Sequence, residues 1–411
     1  MQASHRAARA RTWYLARMAA ALRKLRYTSV FALAVNAIWS LSVVAGPFSS
    51  LVVFGDSLSD VGNISAATAG IAPTPGPYYS NGRFSNGPVY AESLATGLGL
   101  PALTRSTNGG NDFAYGGAQT TGTGGFEGIF IRDLDEQVSQ YLSSRTPTAT
   151  GLYVVFAGAN DLIGGQTNVN TPVNKLTSEM GRLITGGARQ FLVFNLPPLG
   201  ETPRFNGSTS TRSTYNTRSQ QFNSALTTAL DGVQSGNPAV TIKRLDVAEM
   251  FSQVLASPAD FGLVNVTQSA APGLEPGDSS YNTGQLVPNP NQYLFWDDLH
   301  PTAAVHAILA QRALDLYRLP GDFNHDNVVN GADYVLWRNG VGSTYIPYDY
   351  KVLRSHYGEV TSSGMAAGIS VGDNAAIPEP ATFVLITVAS FFAVSARCSR
   401  ASFGFCNGRL A

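Results

Sequence analysis

The stretch "VVFGDSLSDVGN" runs from Val52 to Asn63 and joins an apolar run to a Gly-Asp-Ser turn with an acid on either side of the serine. An uninterrupted apolar run of this kind reads as a strand buried on both faces, the habit of parallel sheets. A serine at the carboxyl end of such a strand stands where open α/β sheets place ligands, because its side chain projects into the crevice above the sheet. Ser57 is so placed if Leu51 to Phe54 form the first strand. A serine hydroxyl is a poor nucleophile unless a base is beside it, and that base needs a group to hold it.

The same grammar continues outward to about Pro320. The runs "LYVVFAG" and "QFLVFNLPP" are also apolar and end in polar or Gly-rich turns. Residues 213–233 and 302–319 read as amphipathic helices, with Val305, Ile308, Leu309 and Leu316 on one face of the second. Strands alternating with helices imply a parallel sheet covered on both sides.

The candidate base follows from a short inventory. Of five histidines, His5 lies near the start and His325 and His356 lie beyond Pro320, which leaves His300 and His306. His300 stands in "FWDDLHPTAAVH", just ahead of a helix that Pro301 helps to start. Asp297, three residues upstream, shares a face with His300 in a helical turn, whereas Asp298 does not. His306 falls off the apolar stripe of its helix and reads as a surface residue. Acyl transfer also needs donors for the developing oxyanion. Gly117 in "NDFAYGGAQT" and Asn160 in "VVFAGANDL" both sit in turns that can supply them, although such turns are common individually.

In this order these blocks resemble the GDSL esterase/lipase family of SGNH hydrolases, over roughly residues 50–319. The resemblance rests on Gly55-Asp56-Ser57-Leu58-Ser59-Asp60 with Gly62-Asn63, on Asn111 to Gly117, on Gly158-Ala159-Asn160-Asp161 and on Asp297-Asp298-Leu299-His300-Pro301. "YSNGRFSNGPVYAESLA" and "VFNLPPLGETP" are also typical of it. It implies Ser57 as nucleophile, His300 as general base and Asp297 as its partner, with an oxyanion hole from the Ser57 amide, the Gly117 amide and the Asn160 side chain. Which of Gly116 and Gly117 donates stays open. Position 59 is serine, so this is not the Gly-x-Ser-x-Gly elbow of α/β-hydrolases. A flavodoxin-like three-layer α/β/α sandwich is the fold implied.

The ends of the chain carry other signals. Seven basic residues precede residue 27 and no acid precedes Asp56; without that segment 20 basic residues face 27 acidic ones, a balance that disfavours nucleic acid as a partner. The basic segment leads into an apolar run closing on Val43-Val44-Ala45, so residues 1–45 read as a secretory signal peptide, with Met1 or Met18 as its start. Both cysteines, Cys398 and Cys406, lie near the C-terminus, so the body has no disulfide, cysteine nucleophile or thiolate metal site.

Past Pro320 the character changes. Asp322, Asn324 and Asp326 alternate and Asp333 stands twelfth in the same loop, a pattern suited to oxygen ligation of calcium. "ADYVLWRNGVG" is echoed by "YDYKVLRSHYG", which suggests two copies of a small helical unit over residues 320–360. This resembles the dockerin-like modules of secreted bacterial proteins, which would add a protein partner. Only the first copy has the ligand set, and Asn327 replaces the usual turn glycine, so at most single, weak calcium binding is expected. Residues 361–376 read as a flexible linker. Residues 377–411, with Pro378-Glu379-Pro380, an apolar run and terminal arginines, resemble a PEP-CTERM sorting signal with a membrane-spanning segment.

The expectation is an exported, cell-surface serine ester hydrolase that needs no cofactor for catalysis, acting on a small-molecule or lipid ester and handled by sorting machinery at the membrane. Acyl transfer to an alcohol, and an inactive surface binding or display role, are the alternatives.

Overall fold

In the computed structural model, the described residues are 48–73, 78–123, 127–274, 286–342 and 344–360. The segments read as a signal peptide, a linker and a sorting signal, and both cysteines, lie outside them. Among the described residues no helix is long and apolar enough to cross a membrane.

Four parallel strands form the central sheet in the order β1 (Ser50–Gly55), β2 (Gly151–Phe156), β3 (Gln190–Phe194) and β4 (Thr241–Leu245). β2 is buried along its whole length, as its unbroken apolar sequence requires. The N–H of Val53 donates to Asn111 O at 3.0 Å and its carbonyl accepts from Phe113 N–H at 2.8 Å. A short parallel segment at Asn111–Phe113 therefore lines the edge of β1 opposite β2. Counting that segment, the order is the 2-1-3-4-5 of flavodoxin-like sheets, and the carboxyl end of β1 is the point where the winding reverses. β5 (Asn265–Ser269) and β6 (Tyr293–Phe295) form a separate two-stranded parallel sheet.

The helices are α1 (Asn63–Ala67), α2 (Tyr90–Gly97), α3 (Leu134–Ser144), α4 (Ala159–Ile163), α5 (Asn170–Gly186), α6 (Thr209–Gly236), α7 (Val247–Ala256), α8 (Ala303–Asp315), α9 (Gly331–Gly340) and α10 (Pro347–Ser355). Side chains along a strand alternate between faces, and the aromatic rings show which helix covers which. Tyr141 of α3 packs edge-on to Phe54 and Tyr153, while Tyr90 of α2 packs on Phe156 and Phe194. Helices thus cover both faces, giving the three layers expected.

One expectation is corrected. His306 is 1% exposed, not a surface residue, because α2 packs on α8 and covers it. Its Nδ1 accepts the Tyr90 N–H at 3.3 Å, and its Nε2 is buried with no hydrogen-bond partner among the described residues. Burial, with His300 nearby, pushes its pKa down to about 3.

The echo beyond Pro320 folds as two short helices, α9 and α10. Asp333 and Asp349 occupy the same position in them, each accepting the N–H three residues back, from Asn330 and Ile346 at 2.9 Å. The loop carboxylates are engaged by the loop's own amides: Asp333 also accepts from Phe323 and Asn324, and Asp322 from Asp326 and Asn327. Among the described residues no three His, Cys, Asp or Glu side chains are placed to share a metal ion. Asp322, Asn324, Asp326 and Asp333 lie in this loop, where backbone amides engage the Asp322 and Asp333 carboxylates. Tyr348 fixes α10 to the main body. Its ring stacks on Phe261 at 4.6 Å and lies 4.2 Å beneath Arg312, and its hydroxyl donates to Gln253 at 3.0 Å.

Two outcomes follow. Tyr348→Ala, which removes a half-buried ring and its polar handle, should lower stability by about 2 kcal/mol in urea unfolding; wild-type stability would show that α10 is not braced there. For His306, unfolding gains a proton below about pH 6.5 that the native state refuses until about pH 3, so stability contributed by this site is lost as pH falls through that window. Relative to His306→Asn, the wild type should lose about 2 kcal/mol between about pH 7.5 and about pH 5. A constant difference would contradict the buried neutral imidazole.

Candidate active site

The turn after β1 is fixed before any chemistry begins. A Cβ on Gly55 would lie 2.3 Å from Phe156 O, so only glycine lets the strand end run this close to β2. The Gln137 side chain brackets Gly55, accepting its N–H at 2.9 Å and donating to its carbonyl at 2.8 Å. Asp60, fully buried, accepts from Gly62 N–H at 2.7 Å, Ile64 N–H at 3.1 Å and Gly116 N–H at 2.8 Å, and from Asn63 N–H as well. Asn63 in turn donates to the carbonyls of Asp112 and Ala114, both at 2.9 Å. The first block is thereby tied to the second, and Ser57 stands between them.

Ser57 Oγ lies 2.8 Å from His300 Nε2, and His300 Nδ1 lies 2.7 Å from Asp297 Oδ2. The structure brings the three together across 243 residues of chain. The physical reason differs from a shared helical face. Asp297 Oδ1 accepts the N–H groups of Leu299 at 2.8 Å and His300 at 2.6 Å, a tight turn that swings the imidazole over its own carboxylate. α8 begins later, at Ala303. Asp298 points away and is held by Arg204 in a two-pronged pair at 2.7 and 2.8 Å.

The oxyanion candidates also converge. The Gly116 amide donates to Asp60, which leaves Gly117, at φ +81°, as the glycine whose amide has no internal acceptor among the described residues. Asn160 lines the same pocket as Ser57 and His300. One proton of its amide goes to Ala118 O at 2.9 Å, which fixes the side chain's orientation and leaves the second proton for a ligand. Beside it, Asp161 accepts the Thr120 hydroxyl at 2.7 Å and the Thr120 N–H at 3.0 Å. The Gly117 and Asn160 turns are zipped together by these bonds.

The electrostatics follow from burial and donors. Burial works to raise Asp297, but the charge of His300 and the hydrogen bonds from the turn hold it below the ordinary carboxylate value, so it is anionic. Burial raises Asp56 to about 7 and Asp161 to about 6. Next to Ser57 lies a narrow pocket of about 40 Å³ walled by apolar side chains, among them Met250 and Phe251 of α7, Phe295, Val305 and Leu309.

Sequence reasoning did not find Gln137, the anchoring role of Asp60, Phe84 or Tyr79. Phe84 packs on the His300 ring with centroids 5.0 Å apart, and Tyr79 donates to Asp297 Oδ2 at 2.8 Å. Only the "YSNGRFSNG" stretch signalled anything there, and it carries no spacing relation to His300.

Comparison with known proteins agrees with this geometry. The profile of the GDSL-like Lipase/Acylhydrolase family matches residues 51–313. The chain is 27% identical to the phosphatidylcholine-sterol acyltransferase of Aeromonas hydrophila, over 65% of this chain and 89% of that protein. It is 26% identical to the GDSL esterase/lipase At1g74460 of Arabidopsis thaliana, over 66% and 89% respectively. The structure of the acetylxylan esterase Axe2 from Geobacillus stearothermophilus is 16% identical over 66% of this chain and 95% of that one, with a TM-score of 0.37, too distant to bear on the chemistry. With the family match covering most of the folded body, the chain belongs to the GDSL-like lipase/acylhydrolase family and is a serine hydrolase acting on ester bonds.

Proposed function

We propose that the protein is an exported carboxylic-ester hydrolase working through an acyl-enzyme on Ser57. The observation that carries the reading is the unbroken relay from Ser57 Oγ to His300 Nε2 at 2.8 Å and from His300 Nδ1 to Asp297 at 2.7 Å. Ser57 Oγ attacks the ester carbonyl carbon as His300 Nε2 takes its proton. The imidazolium so formed is stabilised by the anionic Asp297, which also keeps the Nδ1 proton in place. The carbonyl oxygen becomes an oxyanion held by the Ser57 and Gly117 amides and the free proton of Asn160. His300 then protonates the departing alcohol. Water, activated by His300, attacks the acyl-enzyme, and the acid leaves with Ser57 restored. These steps move only protons and the acyl group, so the residues named are sufficient for them.

The narrowness of the apolar pocket beside Ser57 supports short acyl groups as the preferred substrates. Export and surface attachment are supported by the sequence of the two ends alone, as is a dockerin-like character for residues 320–360 with a protein partner. A second reading, transfer of the acyl group to an alcohol, is favoured by the likeness to a sterol acyltransferase. An acyl-enzyme is open to any hydroxyl placed where water would attack.

The test is hydrolysis of p-nitrophenyl esters from acetate to palmitate, with and without an alcohol acceptor. Ser57→Ala should lose activity on the order of 10⁶-fold and resist labelling by a fluorophosphonate. Asn160→Ala should lose about 10² to 10³ in kcat and remain folded. Short esters should be preferred. Full labelling of Ser57→Ala, or Asn160→Ala within tenfold of wild type, would remove those residues from the roles given.

A further inference from the structure

We infer that Tyr79 is a positioning residue of the catalytic apparatus, and that residues 79–86 form a clamp on the turn that carries Asp297 and His300. This rests on the reading of Ser57, His300 and Asp297 as the reacting relay. Four side chains of one short segment reach that turn or the residues leading from it into α8. The Tyr79 hydroxyl donates to Asp297 Oδ2 at 2.8 Å. Phe84 covers the His300 ring, with centroids 5.0 Å apart. Ser85 Oγ donates to Pro301 O at 3.0 Å, and Asn86 Oδ1 accepts the Ala303 N–H at 2.8 Å. The segment is itself pinned: Ser80 N–H bonds Ser85 O at 2.9 Å, and Arg83 grips Glu92 of α2 through two contacts of 2.6 Å.

Tyr79 matters most because of which atom it touches. Asp297 accepts four donors, two backbone amides on Oδ1 and, on Oδ2, both Tyr79 and His300 Nδ1. Tyr79 is 2% exposed and carries a neutral phenol, since burial and the neighbouring Asp297 push its ionisation far above the usual range. A neutral donor on the oxygen that faces the imidazole does two things. It fixes the plane of the carboxylate, and it withdraws electron density from the oxygen that stabilises the imidazolium. Without it Asp297 would hold protonated His300 more tightly and less accurately.

The proposal gives a readout that a merely structural tyrosine would not move. In Tyr79→Phe the ring remains and only the hydroxyl is lost. The acid limb of kcat/KM, which reports deprotonation of His300 in the free enzyme, should move to higher pH by roughly half a unit to one unit. The rate constant kcat should fall by about tenfold with KM nearly unchanged. The other charged or titratable groups around the pair are Asp56 on the nucleophile turn, the Asp298–Arg204 pair and His306 on α8, and all are untouched by this change. A profile superimposing on wild type would overturn the proposal, whatever happens to the melting temperature.

A measurement on the unaltered protein stands even if the variant does not fold. The Tyr79 hydroxyl proton should resist exchange with solvent in NMR spectra and shift as His300 titrates. A freely exchanging proton, or one indifferent to that titration, overturns the assignment by itself. Ser57→Ala separates the two levels: retained activity there sinks the relay, whereas a dead Ser57→Ala beside an unchanged Tyr79→Phe profile sinks only the role of Tyr79.

Discussion

A carboxylate removed from water has to be met by donors, and much of this molecule is arranged to supply them. Asp60, Asp112, Asp161 and Asp297 are all buried, and each accepts hydrogen bonds from backbone amides, side chains or both. Val61, Gly62 and Asn63 of the nucleophile block and Leu299 and His300 of the base turn are among those donors. The desolvation cost of a buried charge is several kcal/mol and is offset only when the lone pairs are satisfied with good geometry. Misplacing one of these turns therefore strands a carboxylate, and the site geometry is enforced by that penalty. Burial still leaves its mark in the raised values of Asp56 and Asp161.

The catalytic candidates were legible because each is announced by its own neighbours. Ser57 follows an apolar strand, His300 has Asp297 three residues away, and Asn160 follows another strand. Parallel packing was legible for the same reason, since runs such as Leu152 to Phe156 allow no wet face. What remained hidden depends on contacts between distant segments. Tyr79 meets Asp297 across 218 residues and Gln137 meets Gly55 across 82, and no local pattern encodes either meeting. His306 was misread because the apolar stripe of its own helix says nothing about α2 arriving on its other side. The edge segment at Asn111–Phe113 and the polar strand β5 are too short or too hydrophilic to show periodicity.

Placement of α10 changes how the small C-terminal helices are understood. Tyr348 and Lys351 reach the turn Pro258–Phe261 and the helix α7, whose inner residues Met250 and Phe251 wall the pocket beside Ser57. α7 thus lines the pocket beside Ser57 and is also bonded by a residue read as part of a separate unit.

Ser57 comes from the first strand of the sheet and His300 from the turn before α8, so the relay joins nearly the two extremes of the hydrolase body. A contact of such sequence separation carries a loop-closure cost that docking of the intervening strands and helices lowers. During synthesis the serine emerges long before its base, and the chain has no means of attacking esters while incomplete. Catalytic competence in this fold therefore depends on segments from both ends of the hydrolase body being present together.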